Sequence, residues 1–296
     1  MKKILITTTA LVATAGVAAA EVSLSGLARF GYVSTETAAG ATTTGTASRM
    51  RIQAAVSTTT DGGIGLNARQ RFQTEENSAN AGGNGARFGL SFGGLSINMG
   101  NINGAVESAP GLYMGTNSGG VGLEGNQWAN IALNNAGNAW NWESHSSAGA
   151  GAQNGVEAIF SLNGIGVHIS NTDTATGYGV NYSMGNITLA AAREDKTSGA
   201  DDGDQITFAS AGVSLSDLNV TASWGSQSGT TKSVIAATYD MSDAMNLHGH
   251  VGSEDAGSSY GIGVNYSLGG GAFIDAGYDK SAAGDTRMSA GVQFFF

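Results

Sequence analysis

The sequence predicts an all-β fold: a 16-stranded antiparallel transmembrane β-barrel over residues 21–296, with a long third loop folded into its lumen. Three observations predict it. Apolar residues alternate with small or polar ones in segment after segment, the signature of strands with one apolar face. The 296 residues include 47 Gly and one Pro with only 12% charged side chains, a composition that disfavours long helices but tolerates sheet. The connections alternate between tight Gly- or Asp-containing turns and mostly longer polar loops, as a closed antiparallel barrel requires.

The chain opens with an export signal. Lys2 and Lys3 form a positive start, Ile4 to Val17 an apolar stretch, and Ala18, Ala19 and Ala20 a small-residue cleavage site, placing cleavage after Ala20. The stretch is too short and too rich in Thr and Ala to serve as a membrane helix, and no later run reaches the roughly 18 apolar residues one needs. Cleavage removes Lys2 and Lys3, leaving 11 of the 13 basic residues against all 23 acidic ones. That balance speaks against nucleic-acid binding. Cysteine is absent, which excludes disulfides and thiolate chemistry.

Strands are expected at 21–35, 47–60, 63–76, 85–93, 94–101, 154–162, 165–172, 176–184, 186–195, 204–215, 217–226, 231–241, 244–253, 258–268, 271–280 and 285–296. In the first, Val22, Leu24, Ala28, Phe30 and Tyr32 share a face opposite Ser23, Ser25 and Arg29. Tyr178, Val180, Tyr182 and Met184 oppose Gly177, Gly179, Asn181 and Ser183, and Tyr260, Ile262, Val264, Tyr266 and Leu268 oppose Gly261, Gly263, Asn265 and Ser267. Rings near both ends of the apolar face fit a lipid-facing wall with interfacial aromatics. A soluble sandwich would place bulkier residues on its second face. Segment 204–215 changes apolar parity, which predicts a bulge near Ala209 to Gly212. The last strand ends Val292, Phe294, Phe296 on its apolar face, as expected of a barrel bound for the outer membrane.

Seven tight turns and eight loops join these strands. The third loop, 102–153, is far longer than an ordinary connection and is expected to be functional. It carries the only proline, Pro110, and Trp128, Trp140 and Trp142, rings that are costly to leave in water, so it should pack inside the barrel.

Taken together, the signal, the opening Glu21-Val22-Ser23-Leu24-Ser25-Gly26, the sixteen strands, the long third loop and the closing Phe296 resemble a Gram-negative general diffusion porin along the whole chain. The likeness is to the alphaproteobacterial branch rather than the enterobacterial one, whose third-loop motif Pro-Glu-Phe-Gly-Gly-Asp is missing. The resemblance implies an outer-membrane homotrimer among lipid and lipopolysaccharide, a third loop constricting each lumen, and a terminal phenylalanine read by the barrel-assembly machinery.

The residues support a constriction independently. By strand parity Arg29, Arg49, Arg51, Arg69, Arg71 and Arg87 face the lumen from strands one to four, so six of the 11 remaining basic residues share one sector of wall. So many like charges together are unfavourable unless anions oppose them or solutes pass them. The third loop supplies Glu107, Glu124 and Glu143 as the opposing acids. A transverse field between the two would admit small hydrophilic solutes and ions by passive diffusion. The acidic excess predicts a mild cation preference, which the lumenal arginines oppose.

Alternatives are weighed on the same residues. A substrate-specific channel would use the arginines as a solute-binding ladder. A plugged, adhesive barrel would have a filled core and long outer loops. A hydrolase would need a nucleophile, base and orienting group, and the four His residues sit in no such motif. His168, His248 and His250 are placed lumenward, and His248 with His250 lacks a third ligand for a metal. Asp201, Asp202 and Asp204 could offer oxygens to calcium but lack the spacing and glycine of a dedicated loop, so no cofactor is expected. Glu157, Asp275 and Asp279 are expected in the lumen as modifiers of the pore potential. A subunit interface is expected over strands one to five, beside Phe88, Leu90 and Phe92.

Overall fold

The computed structural model describes residues 20–75, 82–113, 142, 154–199 and 202–296. The expected signal, apart from Ala20, lies outside the described residues, as do Glu124, Glu143, Trp128, Trp140 and Asp201. The described chain forms β1 (Glu21–Glu36), β2 (Thr42–Thr59), β3 (Gly65–Glu75), β4 (Gly82–Gly83), β5 (Arg87–Phe92), β6 (Leu95–Gly100), β7 (Gly155–Leu162), β8 (Ile165–Asn171), β9 (Ala175–Met184), β10 (Ile187–Lys196), β11 (Gln205–Leu215), β12 (Leu218–Gln227), β13 (Thr230–Ser242), β14 (Met245–Glu254), β15 (Gly257–Gly269), β16 (Ala272–Lys280) and β17 (Thr286–Phe295).

Every pairing among the described strands is antiparallel; sequence neighbours pair except β4 with β5, β3 also pairs with β5, and β1 pairs with both β2 and β17, which closes the sheet on itself. Closure satisfies the backbone of every stave without an open edge, the condition for crossing a bilayer with strands. β4 and β5 form one stave. Both pair with β3, with a one-residue register shift between Phe72–Gly83 and Arg69–Arg87, so the barrel has sixteen staves as the alternation predicts.

The two faces separate as expected. Outward residues such as Phe30, Phe72, Phe88, Val180 and Ile262 are strongly exposed, whereas Arg29, Asn98, His168, Ser170 and Asp275, on the opposite parity, are buried. Tyr32, Tyr178, Trp224 and Tyr260 ring the outer wall towards the loop end, and Phe92, Phe160, Tyr182, Tyr239, Tyr266 and Phe294 towards the tight-turn end. Aromatic girdles of this kind mark the two interfaces of the apolar belt. Tight turns follow simple chemistry, as at Asn163 (φ 51°) and Gly164 (φ 82°), the left-handed pair of a two-residue hairpin.

Two expectations are corrected. The first loop, expected at 36–46, is much shorter, because the β-branched run Thr42, Thr43, Thr44 and Thr46 continues β2 and pairs with β1 as far as Glu36. The bulge expected near Ala209 to Gly212 is absent: β11 keeps one register against β10 and β12 from end to end. Its parity changes because Ile206 and Phe208 point inward and are almost fully buried in the lumen, where they pack with Val106 and Leu112. Register shifts occur instead at Asp240–Ser242 and Ser267–Gly269, beside the tight turns.

Candidate pore constriction

The arginine sector is built by register. β2 carries Arg49, Arg51 and Gln53 on its lumenal face, and β3 repeats the pattern with Arg69, Arg71 and Gln73. Antiparallel pairing sets Arg51 opposite Gln73 and Gln53 opposite Arg71. The Arg51 Nε donates to Gln73 Oε1 at 2.6 Å and the Arg71 Nε to Gln53 Oε1 at 2.8 Å, so each guanidinium is oriented by a glutamine on the next strand. Arg29 lies opposite Arg49, and Arg69 opposite Arg87. Directly opposed like charges are destabilising on a sheet. Glu157 on β7 offsets the second pair: its carboxylate is 3.6 Å from Arg87 and acts electrostatically on Arg69.

The glutamines, which orient the guanidiniums, are residues that composition and parity alone did not single out. Their signal was the repeated Arg-x-Arg-x-Gln at 49–53 and 69–73, two copies that can exchange partners only when the strands run antiparallel.

The described start of the third loop, 102–113, packs against β7 to β13. The Gly104 N–H donates to Glu157 and the Ala105 N–H to Ser170 of β8. Ala105 rests beside Gly177 and Gly179 of β9, whose missing side chains leave it room. Farther on, Ser210 of β11 donates to the Pro110 carbonyl at 2.6 Å and Ser223 of β12 to the Gly111 carbonyl at 2.8 Å. Gly111 has φ 82°, and a β-carbon there would stand 2.8 Å from that of Ser210, so glycine is required twice over. Val106 and Leu112 of the loop are buried with Ala192, Ile206, Phe208, Val234 and Ala236, and Ala109, Tyr113 and Trp142 pack against that cluster. The lumenal wall is therefore not uniformly small and polar, and its apolar patch is the seat of the loop.

Of the three expected loop acids, Glu107 is described. It accepts hydrogen bonds from the Tyr113 hydroxyl and, at 2.7 Å, from Trp142 Nε1, and its charge acts on Arg71. Burial and the Glu107 carboxylate raise the Tyr113 phenol above its ordinary pKa, so it stays a donor.

The remaining lumenal groups have local partners. His250 is 3.3 Å from Asp279, with Gly261 between them in register, and His248 Nδ1 is 3.3 Å from Thr238 Oγ1. Lys232 and Glu254 are paired in register at 4.0 Å, and Lys196 lies 3.1 Å from Glu194. Among the described residues no group of three or more His, Asp or Glu is arranged to hold a metal ion.

The sequence profile of the Gram-negative porin family matches residues 7–286. The chain belongs to the Gram-negative porins. A porin of Fuscovulum blasticum is 27% identical over 298 residues, covering 93% of this chain and all of the relative. A solved mutant of Rhodopseudomonas blastica porin is 25% identical with a TM-score of 0.80, over 93% of this chain and 100% of that one. A triple mutant of the same porin, 24% identical, matches the fold with the same TM-score and coverage. The porin is thus an outer-membrane diffusion channel, and its sixteen staves, outward apolar belt and polar lumen are the parts such a channel requires.

Proposed function

We propose that this porin admits ions and small hydrophilic solutes by passive diffusion, and that the limiting passage lies between Glu107 on the third loop and the arginines of β1, β2, β3 and β5. The observation that carries this reading is geometric: Arg51 and Arg71 are each oriented by a glutamine of the neighbouring strand, and the Glu107 carboxylate on the loop is held by Tyr113 and Trp142. A carboxylate held by two side-chain donors facing oriented guanidiniums sets a transverse field. Dipolar solutes align in such a field, and apolar ones must disturb the water it orders. Glu124 and Glu143 belong to the same loop and are proposed to extend its acidic side. The working unit is proposed to be a homotrimer, packed through the wall that carries Phe88, Leu90 and Phe92, which are strongly exposed in the single chain. Lipid and lipopolysaccharide surround it, and the barrel-assembly machinery inserts it.

Single-channel recording of the refolded protein under a salt gradient tests the reading. Ohmic conductance in steps of three is expected. Arg71→Ala should raise conductance and move the reversal potential towards cations, and Glu107→Gln should move it towards anions. Unchanged selectivity in both variants would remove the charged constriction, and saturable block by one solute class would replace it with a substrate-specific channel.

A further inference from the structure

Glu157 is a buried carboxylate, 1% exposed, on a strand outside both the arginine sector and the loop. We propose that it is a positioning residue for the constriction, pinning the root of the third loop so that Glu107 stands at a set distance from the arginines. The proposal rests on the constriction reading above.

Its geometry is that of a hub. Oε1 accepts from Asn98 Nδ2 of β6 at 2.9 Å and lies 3.6 Å from Arg87 of β5, while Oε2 accepts from the Gly104 N–H at 3.2 Å and lies 3.1 Å from His168 Nε2 of β8. One side chain therefore ties three strands to the first residues of the loop. A buried carboxylate is tolerated only when its lone pairs are satisfied in this way, and removing one partner of such a set is costly.

What Glu157 holds is mechanically connected to Glu107. Gly104 opens a run of tight turns in which Ser108 N–H donates to the Gly104 carbonyl, Ala109 N–H to Val106, and Leu112 N–H to Ala109. Glu107 lies inside that run, so a displacement of Gly104 is passed to it. The far end is fixed by Ser210, Ser223 and the apolar cluster, which makes 104–112 an arch with two footings. Glu157, with Ser170 beside it, is the footing at the root. A residue that merely balanced Arg87 and Arg69 would need neither the Gly104 nor the Asn98 bond.

Two variants separate positioning from charge. Glu157→Gln keeps the shape but replaces an acceptor oxygen by a donor. Ser170→Ala removes the neighbouring anchor of Ala105 without altering any charge. In planar bilayers both should raise open-channel current noise at least twofold and add sub-conductance levels, with the thermal unfolding midpoint of Ser170→Ala close to that of the parent. Glu157→Gln should also shift the reversal potential towards anions, whereas Ser170→Ala should not. A quiet Ser170→Ala channel, or a Glu157→Gln channel altered in selectivity alone, would overturn the proposal in favour of a purely electrostatic role. If Glu157→Gln fails to fold, Ser170→Ala decides alone. Failure of the constriction reading is seen separately, in unchanged Arg71→Ala and Glu107→Gln channels.

Discussion

Gly26 and Phe296 close the barrel. The Gly26 N–H donates to the Phe296 carbonyl at 2.7 Å, and the Phe296 N–H donates back to the Gly26 carbonyl at 3.1 Å. A β-carbon on residue 26 would stand 2.5 Å from the Phe296 ring and 2.4 Å from the Arg51 carbonyl oxygen. The ring is thus seated where a side chain would otherwise be, and the last backbone rung depends on that space. Gly26→Val should cost about 1–3 kcal/mol through overpacking. Heat-modifiable mobility on gels, which reports the closed barrel, should be lost at lower temperature than in the parent.

Phe208 is the largest side chain in the apolar seat of the third loop. Truncating a buried phenylalanine costs about 3–5 kcal/mol where the surroundings do not collapse. Phe208→Ala should therefore lower the unfolding midpoint and, because Val106 and Leu112 lose their floor, produce current fluctuations in recordings of single channels. An unchanged, quiet channel would show that the serine bonds alone hold the loop.

Tyr113 links loop stability to pH. An unfolded tyrosine titrates near pH ~10. In the folded protein burial and Glu107 raise the phenol above that, so the folded state binds the proton more tightly. The resulting stability is fully present below about pH 10 and declines progressively as pH rises from there towards the higher folded value, because the unfolded chain releases a proton the folded loop still retains. Alkaline melting curves should show the decline, and Tyr113→Phe should flatten it while removing one donor to Glu107.

Lys232 and Glu254 are almost completely buried and face one another in register on β13 and β14. Lys232→Ala leaves the Glu254 carboxylate without this cation, and breaking one side of a buried pair costs about 3–5 kcal/mol. Denaturant unfolding in detergent should show a clear loss, larger than that of the double variant with Glu254→Ala.

How far the sequence reaches differs between wall and loop. Strand number and the outward belt were legible, since alternation has a period of two and each stave repeats it. β11 shows where that logic stops. Its parity change reads as a bulge when both faces are judged by the strand alone, yet Ile206 and Phe208 point inward because Val106 and Leu112, some hundred residues earlier, bury them. The glutamines at 53 and 73 were likewise visible only as a repeat, since their meaning depends on which residue lies opposite.

The sequence by itself determined the closed antiparallel wall, because hydrogen-bond closure and a lipid-facing apolar side are local, periodic demands written into every strand. Tertiary structure decided what the lumen does. The course of residues 104–111 at the start of the third loop follows from single contacts between distant residues: Glu157 with Gly104, Ser210 with Pro110, and Ser223 with Gly111. Such contacts have no periodicity, and each depends on the barrel having already brought its strands around to face one another.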